Sequence, residues 1–172
     1  MTKTVAVLGS TGSIGRQTLQ VAQELGLTMD EVFTLASMIE KEAKTSDFAK
    51  VSAVFHNRLK AGMTLGSDVT VKYVSGSQKM SLNDSDLAVD SPYNTYTHKG
   101  LPVGPICNPS MDAVVAALYP DEQYVAQKYL YFCSAEPESG KLVFSKTLEE
   151  HNKAVSYYRQ YWEEYDKSRG LN

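Results

Sequence analysis

Thr28-Met29-Asp30-Glu31-Val32-Phe33-Thr34-Leu35-Ala36-Ser37-Met38-Ile39-Glu40-Lys41-Glu42 is the stretch on which the fold turns. Thr28 followed three residues later by Glu31 is a capping-box signature: the hydroxyl accepts from the Glu31 N–H while the glutamate reaches back to the cap. A helix starts here. Val32, Leu35, Ala36 and Ile39 then recur at i, i+3, i+4 and i+7, so one face between Met29 and Ala43 is apolar and has to be covered by other elements. Glu40 follows Ile39 about 100° round the helix. That puts it at the edge of the apolar stripe, where partial desolvation raises a carboxyl pKa. Glu42 is expected to point further toward solvent.

Outward from this helix, a polar break at Thr45-Ser46-Asp47 precedes a second helical pattern from Phe48 to Lys60, with Phe48, Val51, Val54, Phe55 and Leu59 on its buried face and Asn57 and Arg58 flanking it. Gly62 ends it, and Met63 to Thr70 reads as a connection in which Asp68 is a cap or a site residue. Asp90 to Tyr96 and Gly100 to Pro109 are too rich in turn-formers for a long element and read as an extended stretch and a rigid loop. Asn94, Thr95 and Tyr96 offer there the amide, hydroxyl and aromatic groups that recognise sugars or peptides. Asn108-Pro109 is expected to cap a helix from Ser110 to Leu118. Two short strands, Tyr129 to Ser134 and Leu142 to Ser145, flank a Glu-Pro-Glu-Ser-Gly turn. Thr147 to Glu150 caps a last helix running to about Lys167, whose Val155, Tyr158, Trp162 and Tyr165 form a face read as core rather than ligand platform. The fold class that follows is α+β, helices packed on a small mixed or antiparallel sheet.

At 172 residues, 42% hydrophobic and 22% charged, the chain has the composition of one ordinary globular domain. Seventeen basic against twenty acidic side chains, a net charge of -3, give no global attraction to nucleic acid, and none is expected as a partner. Cys107 and Cys133 lie far apart, fit neither a zinc cluster nor a disulfide framework, and read as structural thiols. His56, His98 and His151 share no spacing with Ser and Asp that suggests a nucleophilic triad, and neither H-E-x-x-H nor a P-loop occurs. No metal and no cofactor is expected. No stretch approaches the ~18–20 apolar residues that span a bilayer, and no signal-peptide pattern opens the chain, so the chain as it stands is expected to be soluble.

The N-terminus reads separately. An apolar run from Thr4 to Leu8 leads into Gly9-Ser10-Thr11-Gly12-Ser13-Ile14-Gly15 and a helix from Arg16 to Leu25, the strand, glycine loop and helix order that can seat a phosphate on a helix N-terminus. Val7 to Leu19 resembles the start of 1-deoxy-D-xylulose 5-phosphate reductoisomerase. The resemblance implies NADPH contacts at Gly9, Gly12 and Gly15. It covers about 25 residues, and the carboxylate pair of that family's metal segment is missing from Val89-Asp90-Ser91-Pro92-Tyr93. The expectation is a segment of residues 1–25 that is not an independent domain, followed by a catalytic-type domain over 26–172.

Six ordered motifs carry a second resemblance across most of the chain: Leu35 to Glu42, Val54 to Leu59, Ser91 to Tyr96, Gly100 to Ile106, Tyr129 to Phe132, and Phe144 to Thr147 with His151-Asn152-Lys153. Together they resemble the YceG-like (MltG-type) endolytic murein transglycosylases. The resemblance implies cleavage of the β-1,4 bond between N-acetylmuramic acid and N-acetylglucosamine without water, leaving a 1,6-anhydro end. It assigns the catalytic glutamate to Glu40. One carboxyl group can protonate the leaving oxygen and then, as carboxylate, take the proton of the C6 hydroxyl that closes the anhydro ring. Ordinary glycosidases use an Asp/Glu pair instead. Asn57, Asp68, Asn94, Thr95 and Tyr96 are the candidates for holding the sugar or orienting the glutamate.

Peptidoglycan strands are the implied partner, with cell wall synthesis or division proteins beside them, at the outer face of the cytoplasmic membrane. The membrane anchor and LysM-like region usual in the family are not in this chain, and Leu65-Gly66-Ser67-Asp68-Val69-Thr70-Val71 departs from the family's Leu-Gln-Thr-Asp-Pro-Thr-Val. A non-catalytic glycan-binding domain and an NADPH-binding module through the glycine loop are the alternative readings.

Overall fold

The computed structural model describes residues 13–171, with side chains from residue 18 onward. Its first helix, α1 (Ser13–Glu24), closes on Gly26 at φ +71°, where the Leu27 N–H reaches the Ala22 carbonyl at 2.8 Å and the Gly26 N–H the Gln23 carbonyl at 3.0 Å. That is a Schellman ending, and only glycine takes the left-handed turn without strain. Gly15, expected in a loop, lies within α1; the strand expected at Thr4 to Leu8, together with Gly9 and Gly12, falls outside the described residues.

The capping box at Thr28 forms in full. The Glu31 N–H donates to the Thr28 hydroxyl at 3.3 Å and the Thr28 N–H donates to the Glu31 carboxylate at 2.7 Å, starting α2 (Met29–Glu42). Val32, Leu35, Ala36, Met38 and Ile39 are all 0% exposed, so α2 is the axis of the core. Each of the larger side chains contributes ~1.5–3 kcal/mol by leaving water. Burial goes further round the helix than the stripe implied. Thr34 and Ser37 are also buried and turn their hydroxyls onto the carbonyls of Asp30 (2.8 Å) and Thr34 (2.7 Å), while Ser37 Oγ accepts from the Ile106 N–H at 3.0 Å. A helix enclosed on most sides must satisfy its own polar groups in this way.

A single 3₁₀ turn (Thr45–Asp47) leads into α3 (Phe48–Lys60), which buries Phe48, Val51, Val54 and Phe55 against its neighbours. Next come α4 (Asp68–Ser75), the one-turn α5 (Asp84–Leu87), α6 (Met111–Leu118) and α7 (Glu122–Ala126). Of these, α4, α5 and α7 were not expected from the sequence. The cap of α6 is Ser110, whose hydroxyl accepts from the Ala113 N–H at 3.3 Å, and not Asn108 as the Asn-Pro pair suggested. A serine hydroxyl at that position satisfies the free N–H directly.

Among the described residues the sheet is one antiparallel pair, β1 (Tyr131–Ser134) and β2 (Leu142–Ser145), in the register Tyr131↔Ser145, Phe132↔Phe144, Cys133↔Val143 and Ser134↔Leu142. Phe132 meets Phe55 of α3 edge-on, with ring centres 5.8 Å apart. The long α8 (Leu148–Ser168) crosses the hairpin and fastens to it through Trp162, whose indole N–H donates to the Ala135 carbonyl at 2.9 Å. Helices on a small antiparallel sheet are the expected α+β class. Among the described residues no helix is long and apolar enough to cross a membrane.

At the far end of α8, Asp166 is 5% exposed and accepts from the backbone N–H groups of Met80 (2.8 Å) and Ser81 (2.9 Å). The irregular segment between α4 and α5 is thereby hung on α8. The buried thiol of Cys133 and the partly covered one of Cys107 are both free.

Candidate active site

A cleft of about 360 Å³ opens where α2, α3, α4, β1, α8 and the Met80 to Leu82 segment meet. Its polar lining includes Glu42 from α2, Arg58 from α3, Asp68 and Lys72 from α4, Tyr96 from a later loop, His151 and Arg159 from α8, and Lys41 beside Glu42.

Glu42 continues the spacing of the buried stripe: Leu35, Met38, Ile39 and Glu42 stand at i, i+3, i+4 and i+7. The sequence expectation that it points to solvent is therefore corrected. Part of the residue keeps its surface, but the carboxyl itself is enclosed where the start of α4 packs on the end of α2. Ser67 sits at the cap position of α4 yet makes no side-chain capping bond, because its hydroxyl donates to Glu42 Oε1 instead. Desolvation pushes the Glu42 carboxyl up to about 7, and the nearby Asp68 charge adds to the rise. Donation from Ser67, the Lys72 charge and the Val69 N–H pull the other way. A carboxyl balanced near neutrality both gives and takes a proton.

Glu40 does not line the cleft. Its carboxylate accepts from the Ser110 N–H at 3.0 Å and from the Ser110 hydroxyl at 2.5 Å, bracing α2 to the start of α6. Those two bonds hold it below the usual carboxylate range, opposite to what a general acid needs. Burial is too slight to reverse them.

Of the expected sugar contacts, Asp68 and Tyr96 line the cleft, and the Tyr96 hydroxyl donates to Asp68 Oδ1 at 2.5 Å. Burial and the Asp68 charge push the Tyr96 phenol well up, so it acts as a fixed donor rather than a titrating group. Asn57, Asn94 and Thr95 do not line the cleft. Asn57 donates to the carbonyls of Tyr129 (2.9 Å) and Tyr124 (3.2 Å), tying α3 to the chain before β1. Asn94, 0% exposed, donates to the carbonyls of Leu87 and Val89 and accepts from the Tyr96 N–H at 2.9 Å. Thr95 accepts from the Ser67 N–H at 3.0 Å and pairs with the Thr70 hydroxyl at 2.9 Å. These side chains hold the scaffold of the cleft.

Arg58 and His151 are cleft residues that the sequence did not single out as site residues. Arg58 donates Nε to the Leu130 carbonyl at 2.5 Å and Nη1 to the carbonyls of Leu65 (2.8 Å) and Thr64 (3.3 Å), with its guanidinium 4.9 Å from the Tyr131 ring centre. His151 stacks on the same ring at 5.3 Å. Burial, and secondarily the Arg58 charge, hold the imidazole below its ordinary value and therefore neutral at pH 7. The available signal was position: Arg58 borders the buried face of α3, and His151 follows the last cap by one turn.

Gly66 makes the close approach possible. It stands at φ +54°, and a methyl group there would lie 3.1 Å from Arg58 Nη1 and 3.6 Å from the Tyr96 ring. Gly66→Ala is expected to cost about 1–2 kcal/mol from the left-handed backbone and the displaced guanidinium. Urea denaturation checks this, and an unchanged midpoint would contradict it. Among the described residues no group of three or more His, Cys, Asp or Glu is placed to hold a metal ion.

Residues 2–157 match the model of the YceG-like family. Over 133 residues the chain is 45% identical to the endolytic murein transglycosylase of Bacillus subtilis, an alignment covering 77% of this chain and 35% of that protein. It is 37% identical over 136 residues to the endolytic murein transglycosylase of Streptococcus pneumoniae, covering 76% of this chain and 24% of that protein. The chain thus spans about a third or less of the length of these curated relatives. A crystal structure of a YceG-like protein from Listeria monocytogenes superposes with a TM-score of 0.70 at 41% identity, covering 85% of this chain and 46% of that one.

Proposed function

From the premise that this chain belongs to the YceG-like family, we propose that it carries the chemistry of an endolytic peptidoglycan lytic transglycosylase in the bacterial cell envelope, with Glu42 as its general acid and base. The observation that carries the reading is the enclosed carboxyl of Glu42 in a polar cleft, pushed up to about 7. The motif that suggested Glu40 contains both glutamates, and the geometry favours the second.

Protonated Glu42 donates to the glycosidic oxygen, and the bond from that oxygen to C1 of the muramic acid breaks with positive charge building on the ring. The carboxylate left behind then takes the C6 hydroxyl proton as O6 bonds to C1, closing the anhydro ring and restoring the acid. Ser67 and the Val69 N–H stabilise the carboxylate between the two transfers. Asp68, fixed by Tyr96, supplies negative charge beside the developing cation. No water is consumed.

The protein incubated with purified peptidoglycan is expected to release muropeptides with 1,6-anhydro ends, each one water lighter than its hydrolytic counterpart by mass spectrometry. Since the first transfer needs protonated Glu42, kcat/KM should fall as pH rises through about 7. Hydrolytic ends in place of anhydro ends, or glycan binding with no product, would refute the assignment.

A further inference from the structure

The imidazole of His151 is a polar group of the cleft that the proposed reaction leaves unused. It stacks on the Tyr131 ring, with centres 5.3 Å apart and planes inclined by 25°, and among the described residues neither ring nitrogen takes part in a hydrogen bond. A phenyl ring would stack there equally well without an unpaired nitrogen, so packing does not account for the imidazole. The two nitrogens differ in their surroundings. Nδ1 is closed off from solvent; Nε2 is not, and the ring lines the cleft. A proton on Nδ1 would be a buried donor without an acceptor. Burial, and after it the Arg58 charge from α3, oppose a second proton on the ring and outweigh the attraction of Asp68 on α4. The arrangement is therefore a neutral imidazole that carries its proton on Nε2, a fixed donor on the open side of the ring.

We infer that His151 is a positioning residue whose Nε2–H, together with the Asp68 carboxylate, grips one sugar hydroxyl, the hydroxyl accepting from the imidazole and donating to the carboxylate. The inference rests on the reading of the cleft as a saccharide site and adds to it a residue that reading did not use. Both groups line the cleft without bonding to each other, one brought by α8 and the other by α4. Tyr96 engages Oδ1 of Asp68, and a carboxylate keeps further lone pairs for a second donor. A fixed donor and a fixed acceptor in one cleft are both satisfied through a single oxygen by a hydroxyl. A carbonyl answers only the first and an ammonium only the second.

The test compares His151→Phe, which keeps the stack and removes the N–H, with His151→Gln, whose amide nitrogen can stand where Nε2 stood. On soluble uncross-linked glycan strands the Phe variant is expected to raise KM about tenfold with kcat within about twofold of the parent, because the contact is made alike in ground and transition states. It should melt no lower than the parent, and the Gln variant should recover most of the lost affinity. In an Asp68→Ala background His151→Phe should raise KM far less, since the hydroxyl has already lost one of its two holds. Nitrogen NMR of the parent at pH 7 should find the proton on Nε2. An unchanged KM in the Phe variant, a proton on Nδ1 or on both nitrogens, or independent effects of the His151 and Asp68 substitutions would overturn the inference. So would a rise in KM that follows a lowered melting temperature and is not recovered by Gln, which would make His151 a packing residue. In each of these cases release of anhydro ends by the parent leaves the transglycosylase assignment standing, and its absence from the parent would overturn both.

Discussion

Glu42→Gln should lower the release of anhydro ends by about a thousandfold, the scale of a lost general acid–base group. Glutamine keeps the shape and accepts from Ser67, but it cannot supply the proton. Glu40→Gln should leave the rate near that of the parent, because that carboxylate contacts Ser110 and not the cleft. Stability separates catalysis from folding in the same pair. The Glu42 carboxyl titrates near 7 when folded and near 4.5 when free, so the folded state holds the proton more tightly and the parent loses stability as pH rises from about 4.5 through about 7. The Gln variant lacks that loss. At pH 8 it should be more stable than the parent by at most about 3 kcal/mol, and equally stable at pH 4. Thermal melts at the two pH values and product analysis by mass spectrometry decide the matter. Loss of activity in Glu40→Gln with Glu42→Gln unaffected would return the catalytic role to Glu40.

The second large effect is on the fold. Arg58→Ala should cost about 3 kcal/mol, since it strips charged donors from partly buried carbonyls of Leu65 and Leu130 and removes the cation resting on Tyr131. Thr64 and Leu65 lead into the segment that places Ser67 on Glu42, so activity should fall with stability. Arg58→Lys should recover only part of either, because an ammonium cannot reach two segments with one rigid fork. A urea midpoint unchanged in the alanine variant would remove Arg58 from the framework of the cleft.

Much of the scaffold was legible because it rests on local rules. The Thr28 and Thr147 capping boxes, the α3 pattern and the Tyr131 to Ser145 hairpin each follow from spacing and turn chemistry within a few residues. Helix α4 was not, since Val69, Thr70 and Val71 are weak helix formers and the helix depends on docking that buries Thr70 and Val71 completely. The two glutamates show the same limit more sharply. Angle alone put Glu40 at the edge of the stripe, but what each carboxyl meets depends on which element arrives beside it: the start of α6 for Glu40, the start of α4 for Glu42. Asn57, Asn94 and Thr95 depend on context in a related way. Irregular chain has backbone groups without sheet or helix partners, and polar side chains that resemble ligand contacts in sequence are used to satisfy them.

The carboxylate of Asp166, at the last turn of α8, fixes one wall of the cleft. The Met80 to Leu82 wall has no strand beside it, and two of its backbone donors end on that single side chain. The position of that wall is therefore tied to α8. A long helix fastened to the hairpin by Trp162 at one point thus carries, one turn further on, a wall of the cleft that lies far from it in sequence.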